Sequence, residues 1–172
     1  MRGCRSEYLH SGMGSEDNKA IVRRFVREIP NRGNLAAADQ LLADGFILHF
    51  PGIPDLEGAE VFRAVPTAMR TAFPDLVETI EDLVAEGDRV VERFTLRGTH
   101  LGEFMGIAPT GRSVSWTGIV IYRIEDERIA ECWVEPNLLG LALQIGVVSV
   151  PRGLSFEKVT GAHDRHDGPP VS

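Results

Sequence analysis

Apolar residues recur at helical spacing in three stretches of the first half of the chain. Leu35 to Ala43 predicts a short helix, and Ala59 to Phe73 predicts a longer one in which Pro66 should cause a kink or a break. The earliest stretch starts at Ser15, a residue type suited to a helix N-cap, and ends at Pro30. Its apolar positions are Ile21, Val22, Phe25, Val26 and Ile29.

Strand patterns dominate from Leu76 onward, after one earlier strand over Gly45 to Phe50 that Pro51-Gly52 ends. Turn residues at 86–88 and 125–127 predict two hairpins, and a short helix over Leu138 to Ile145 should close the domain. The later strands are predicted at Leu76 to Ala85, Val90 to Arg97, Ser113 to Ile124 and Arg128 to Glu135.

This order of elements predicts an α+β fold, in which a curved sheet wraps the helices and can hold a pocket on its concave side. With 172 residues, 43% of them hydrophobic, the chain has the size of one domain. We expect a flexible N-terminal arm over 1–14, the domain itself over 15–147, and a partly disordered extension over 148–172 that is rich in turn formers.

Composition excludes several classes of function. A net charge of −7 argues against nucleic-acid binding, which needs clustered Lys and Arg. No apolar run is long enough to span a bilayer and no signal peptide is evident, so we expect a cytoplasmic protein. The two cysteines, Cys4 and Cys132, form neither a disulfide framework nor a metal-binding spacing.

Three segments carry a resemblance to a known family. They are NKAIVRRFVREIPNRGNLAAADQLLADGF, the stretch that contains GTHLGEFMGIAPTG, and the stretch that ends in WVEPNLLGLALQIG. Across about Asn18 to Val147 the chain resembles the SnoaL-like polyketide cyclases, of the nuclear transport factor two-like superfold. The resemblance implies a cone: a strongly bent, mixed or antiparallel sheet packed on three N-terminal helices, usually dimeric, with a pocket inside.

The same resemblance implies an intramolecular aldol condensation without metal or cofactor, run by a pocket aspartate beside a histidine and an asparagine. In this sequence the aspartate falls on Val134, the histidine on Val120 and the asparagine on Leu48. Because a valine or leucine cannot exchange a proton, the usual cyclase chemistry is not available at these positions.

Strand alternation extends this apolar pattern to a predicted pocket wall. If Val120 and Val134 point inward, residues two positions away along each strand share that face. We therefore expect a wall that binds a hydrophobic substrate, the other possibility being that these side chains fill a core with no cavity. The predicted substrate-binding residues are Phe46, Leu48, Phe50, Trp116, Val120, Cys132, Val134 and, at the rim, Asn137.

The candidate proton-transfer groups are Glu135, Tyr122 and His49. Glu135 is nearest in sequence to the lost aspartate, but alternation points it away from the pocket unless the strand end twists. Asn137 has a competing role as the N-cap of the last helix. Arg93 could hold an enolate if its face of the strand is concave, or form ion pairs if that face is convex, and alternation alone leaves the choice open.

These features favour a cofactor-independent enzyme of secondary metabolism that promotes cyclisation, isomerisation or a related step on a hydrophobic polyketide-like intermediate. The alternatives are a non-catalytic small-molecule binding protein and a cofactor-free hydroxylase of the same family. We expect a homodimer, because the strands between Leu76 and Glu135 are partly apolar on both faces. No nucleic acid, membrane, metal or cofactor is expected as a partner.

Overall fold

The computed structural model describes residues 14–149, where four α-helices pack against one six-stranded sheet. The predicted α+β class is confirmed; the predicted arm and extension lie outside these residues, apart from their innermost positions. The helices are α1 (Ser15–Val26), α2 (Ala38–Leu41), α3 (Ala59–Ala72) and α4 (Leu138–Ile145). The strands are β1 (Leu42–His49), β2 (Leu56–Glu57), β3 (Val77–Glu86), β4 (Arg89–Thr99), β5 (Ser113–Glu125) and β6 (Arg128–Pro136).

The first helix continues past the point where its sequence predicts an end. A wide π-helical turn, Arg27–Asn31, follows α1 and contains Pro30. Proline lacks the N–H of a normal helical bond and its ring crowds the preceding turn, so widening the turn accommodates it. This turn buries Ile29 completely and brings Asn31 to the edge of the sheet at β3.

Two other helix boundaries differ from the predictions. The helix expected over Leu35 to Ala43 is a 3-10 turn, Leu35–Ala37, followed by α2, and the last two residues already belong to β1. The third helix runs unbroken through Pro66, so the predicted break is wrong. Pro66 is buried and lines the cavity described below, so its ring gains apolar contacts at this position.

The sheet has the order β2-β1-β6-β5-β4-β3. Both predicted hairpins are confirmed, since β3 pairs with β4 and β5 with β6 in antiparallel fashion. Two features of the sheet were not predicted. One is the parallel pairing of β1 with β6, which joins distant parts of the chain, and the other is the short strand β2.

Burial alternates strictly along β5 and separates the two faces of the sheet. Val114, Trp116, Val120 and Tyr122 are buried on the concave face, where α1 and α3 lie, whereas Ile119 on the convex face is 46% exposed. Period-two alternation follows from the pleat of a strand. Within residues 14–149, no helix is long and apolar enough to cross a membrane.

The β5–β6 hairpin turn contains two non-glycine residues with left-handed backbones, Asp126 with φ 47° and Glu127 with φ 62°. Such a turn favours Gly at its second position. We predict that Glu127→Gly raises the free energy of unfolding by about 0.5–1 kcal/mol, measured by chemical denaturation. Glu125→Gly, in the extended backbone of β5, should lower it, and stabilisation by both changes would contradict the argument.

Candidate active site

A cavity of about 390 Å³ lies between the concave face of the sheet and the helices α1 and α3. Aliphatic and aromatic side chains from all these elements form most of its wall. Phe104 and Met105, from the loop between β4 and β5, contribute to the wall as well, and Met105 is 73% exposed. The cavity therefore combines an apolar interior with contact to solvent.

The structure places most residues of the predicted wall on this cavity. Phe46 lies on the expected face but packs in the core against Phe62, with ring centroids 5.3 Å apart, and does not reach the cavity. Asn137 is exposed and its Oδ1 accepts a hydrogen bond from Gly140 N at 2.8 Å, so it caps α4 instead. The residues that do line the cavity are Leu48, Phe50, Trp116, Val120, Cys132 and Val134, together with Tyr122.

The three positions where the resemblance implies polar groups form an apolar patch. Val120 and Val134 are cross-strand partners, and Leu48 pairs with Cys132, next to Val134 along β6. Directly opposed side chains on one face of an antiparallel pair lie about 4.5–5.5 Å apart, so Val120 and Val134 contact each other, and Leu48 lies one strand further along the same wall. No proton donor or acceptor replaces the missing groups inside this patch.

Glu135 lies outside the cavity. It is exposed and pairs across the sheet with Ile119 on the convex face, while Val134 before it and Pro136 after it line the cavity. The strand end does not twist Glu135 inward, so alternation holds and the prediction that this acid transfers protons in the pocket loses its geometric basis.

His49 also faces away from the cavity, into a chain of charged groups. Its Nδ1 lies 2.8 Å from Asp55 and its Nε2 lies 2.8 Å from Glu131, which also accepts from Arg123 Nε at 2.9 Å. The hydrogen bond with Glu131, and then the contact with Asp55, raise the pKa of His49. His49 therefore links β1 to β6 and to the segment before β2, away from the proposed chemistry.

An acid that strand patterns did not single out lies on the concave face. Glu92 is fully buried in β4, and its Oε2 accepts a hydrogen bond of 2.7 Å from the Tyr122 hydroxyl. Glu78, on β3, lies close enough to Glu92 for each carboxyl group to affect the pKa of the other. Glu78 and Tyr122 line the cavity, and Glu92 lies behind them.

The placement of Glu92 settles which face of β4 is concave. Phe94 and Leu96, two and four residues further along, line the cavity on the same face. Arg93 lies on the opposite face, exposed, with its Nη2 2.6 Å from Asp82 of the same chain. A sequence signal existed, since Glu92 is an acid within an apolar face, and a buried polar residue is the informative exception.

Burial raises the pKa of both carboxyl groups. For Glu78 the pKa is raised well above its ordinary value, first by loss of water and then by the charge of Glu92. The pKa of Glu92 is also raised by burial, although its hydrogen bonds with Tyr122 and Glu78 oppose the shift. With both groups ionised, Glu92 Oε1 has no hydrogen-bond donor within residues 14–149. A single proton shared by the two carboxyl groups reduces the buried negative charge and gives Glu92 Oε1 a hydrogen-bond partner.

Neighbouring groups hold the pair in place without neutralising it. Asn31 clamps the backbone of Glu78, accepting from its N–H at 2.7 Å and donating to its carbonyl at 2.9 Å. Arg70, a cationic residue on the cavity wall, donates from Nη1 to the carbonyls of Pro30 and Asn31 at 2.9 and 3.4 Å. These bonds fix the π-helical turn against α3. The Cys132 thiol stays protonated, because burial raises its pKa to about 12.

Comparison with known proteins now identifies the class to which this fold and cavity belong. The family model for SnoaL-like polyketide cyclases matches residues 20–145. Aklanonic acid methyl ester cyclase DauD, from Streptomyces sp. (strain C5), is 34% identical over 135 residues, which cover 73% of this chain and 80% of DauD. The chain therefore belongs to the SnoaL-like polyketide cyclase family.

Solved structures agree with this assignment. TsrD from Streptomyces laurentii matches with a TM-score of 0.72 and 32% identity, covering 79% of this chain and 99% of TsrD. AclR from Streptomyces galilaeus, described as a candidate hydroxylase, matches with a TM-score of 0.72 and 28% identity, covering 79% of this chain and 100% of AclR. The fold is thus of the nuclear transport factor two-like type, as the resemblance implied.

The His49 contacts generate a prediction about stability and pH. A histidine whose pKa is raised on folding contributes stability that is fully present below its unfolded pKa and lost as the pH rises through its folded pKa. His49→Gln should therefore destabilise the fold by up to about 1 kcal/mol near pH 6, and by less near pH 8.5, since the ring is partly exposed. Thermal melts of both proteins at the two pH values measure this. A loss that grows with pH would contradict it.

Proposed function

We propose that the chain is a cofactor-independent enzyme of secondary metabolism that binds a hydrophobic polyketide-like intermediate in the cavity and promotes its cyclisation, isomerisation or a related step. The observation that carries this proposal is the cavity, whose apolar wall has polar groups at few points. Small-molecule sites are typically concave, apolar and fitted with a few polar anchors. The name of the relative DauD, a cyclase of aklanonic acid methyl ester, supports the same substrate class.

Ring closure needs nothing beyond the substrate and a group that moves a proton. A C–H bond beside one carbonyl gives up its proton, the carbon attacks a second carbonyl, and the resulting alkoxide takes a proton. A cavity that holds the two carbons at contact distance supplies much of the acceleration, because it removes the entropic cost of bringing them together. The apolar patch at Leu48, Val120 and Val134 suits this role of shaping the substrate.

Two other functions have observations in their favour. The loss of polar groups at Val120 and Val134 favours a protein that binds such a molecule without changing it. The similarity to AclR favours a cofactor-free hydroxylase, in which an electron-rich substrate itself reduces oxygen. Each candidate function leaves a different product, so one assay separates the three.

The test is incubation of the chain with neutral polyketide methyl esters that carry an unclosed ring, followed by chromatography and mass spectrometry. We expect a product of unchanged mass and new retention time, as ring closure or isomerisation requires. A gain of one oxygen atom with the loss of two hydrogen atoms, which leave with the second oxygen atom as water, would identify the hydroxylase, and bound but unaltered ester would identify the binding protein. Either result would contradict the proposed reaction.

Val134→Asp tests whether the cavity is the binding site. It should weaken ester binding at least ten-fold, because an acid placed against an apolar ligand loses its water, and the ligand cannot replace that water. It should not restore family chemistry, because the histidine and asparagine positions remain apolar. Val84→Asp, at a position that is 64% exposed, is the matched control and should bind as the wild type does. Fluorescence titration measures both, and unchanged affinity in Val134→Asp would exclude this wall as the site.

We also propose that the chain is a homodimer joined through the convex face of the sheet. Ile119 and Ile121 are 46% and 38% exposed at the centre of that face, and Ile121 pairs with Trp133. Exposed apolar patches commonly mark interfaces, and two-fold dimers are the commonest oligomers.

Light scattering should give twice the chain mass of 18.9 kDa at micromolar concentration. Ile119→Lys should shift the mass toward the monomer, whereas Ile53→Lys, at an exposed position on the cavity rim, should leave it unchanged. A monomeric wild type, or a dimer indifferent to Ile119→Lys, would contradict the proposed interface.

A further inference from the structure

A row of paired residues crosses the concave face and connects the lost aspartate position to the buried acid. Val134 on β6 pairs with Val120 on β5, and Val120 pairs with Glu92 on β4. Strands in a sheet are about 4.8 Å apart, so Glu92 lies roughly 10 Å from the Val134 position, on the same face and at the same height along the strands. This row of paired residues therefore contains an acid, Glu92, which lies two strands away from the position of the family's aspartate.

Structural need does not explain the two acids on this face. Removing a carboxylate from water is costly, and replacing a buried ionisable pair by apolar residues is often neutral or stabilising. The surrounding wall is apolar, and the cationic group on it, Arg70, bonds to backbone carbonyls rather than to either acid. Acids retained in a cavity under such conditions are typical of sites where protons are moved.

Each member of the cluster is held by a separate element. Asn31 fixes the backbone of Glu78 from the π-helical turn, and Tyr122 fixes Glu92 through the 2.7 Å hydrogen bond. Glu78 reaches the cavity surface, whereas Glu92 is fully buried behind it. A substrate in the cavity can therefore contact Glu78 directly and Glu92 only through Glu78 or Tyr122.

We propose that Glu78 is the catalytic acid and base of this cavity, and that Glu92, oriented by Tyr122, holds the proton that Glu78 must release before it can act as a base. This assignment rests on the proposed function, in which a proton leaves a carbon beside a carbonyl.

The proton balance of the step closes without any other reactant. The proton shared by the two acids first resides on Glu92, which leaves Glu78 as a carboxylate. Glu78 then takes the proton of the substrate C–H bond, and the electron pair of that bond forms the new carbon–carbon bond. The π bond of the attacked carbonyl breaks, and its oxygen takes the proton from Glu78. Glu78 ends as a carboxylate, and Glu92 keeps its proton throughout.

The test follows the first half of this step alone. β-Tetralone, a neutral bicyclic ketone, is incubated with the protein in heavy water, and deuterium incorporation beside the carbonyl is followed by NMR. General bases contribute on the order of a hundred- to ten-thousand-fold. We expect the wild type to accelerate exchange over buffer, and Glu78→Gln to lose at least nine-tenths of that acceleration.

Two matched variants serve as controls. Glu81→Gln changes an exposed acid on the same strand as Glu78, and Glu135→Gln changes the exposed acid beside Val134. Both should exchange at the wild-type rate. A wild type that fails to accelerate exchange, or a Glu78→Gln variant as fast as Glu81→Gln, would overturn the proposal.

The roles of Glu92 and Tyr122 show in the pH dependence of exchange. The charge of Glu92 and its hydrogen bond raise the pKa of Glu78, so Glu92→Gln should move the rising limb of the profile to lower pH. Tyr122→Phe removes the bond that lowers the pKa of Glu92, so Glu92 takes the shared proton from Glu78 more readily and the rising limb should also move to lower pH. The Cys132 thiol on the same wall does not interfere, because burial raises its pKa to about 12 and it stays neutral. Unmoved profiles in both variants would show that the two residues have only a structural role.

Stability supplies a readout that does not depend on any substrate. An acid whose pKa is raised on folding contributes stability that is fully present below its unfolded pKa and lost as the pH rises through its folded pKa. Glu78→Gln removes this loss, so its melting temperature should exceed that of the wild type at high pH and converge with it in acid. If Glu78→Gln is less stable at every pH, the pair is a structural contact and the proposal fails.

The outcomes also separate this proposal from the proposed function. Ring closure of the polyketide ester by wild type and Glu78→Gln alike would refute the role of the pair and leave the function standing. Exchange of β-tetralone that depends on Glu78, without ring closure of any ester, would support the pair and refute the function.

Discussion

Exclusion of water from the concave face of the sheet is the constraint on which the rest of the structure depends. The helices α1 and α3 cover this face, so a side chain there must be apolar, hydrogen-bonded or neutralised. Neighbouring residues of β4 show the contrast: Arg93 remains an exposed, charged partner of Asp82, while Glu92 lies fully buried and shares a hydrogen bond with Tyr122. One step along a strand thus changes the chemistry that a residue can perform.

Local patterns predicted those parts of the fold that depend on neighbours in sequence. The alternation of side chains along β5 and β6 indicated which of them face inward, since every second residue of a strand shares a face. Alternation indicates on which face a side chain lies, but not how far it is from the cavity. Phe46 lies on the expected face but packs against the ring of Phe62, away from the cavity. Pro30 does coincide with an irregularity in the helix. The helix continues there as a wide π-helical turn, in which Ile29 is fully buried, instead of ending.

The candidate site could not be predicted because its parts come from distant segments. In β4, Glu92 lies within an otherwise apolar face, but its pairing with Val120 is needed to show that this face is the concave one. Glu78 becomes significant only through its interaction with Glu92, and the register of β3 against β4, which shifts between Ile80 and Asp82, could not be read from the sequence. A family comparison restricted to the usual positions finds only Val134, Val120 and Leu48, and these carry no ionisable group.

The parallel pairing of β1 with β6 has a consequence for how the chain reaches its native state. His49 and Glu131, whose contact joins these strands, are 82 residues apart in sequence. The β3–β4 and β5–β6 hairpins can form from adjacent segments, but β1 has no long partner until the last strand is available. Closure of so large a loop is slow, because its entropic cost precedes any contact energy. During synthesis on a ribosome, the early helices and β1 must therefore wait, with their apolar faces uncovered, for β6 to emerge.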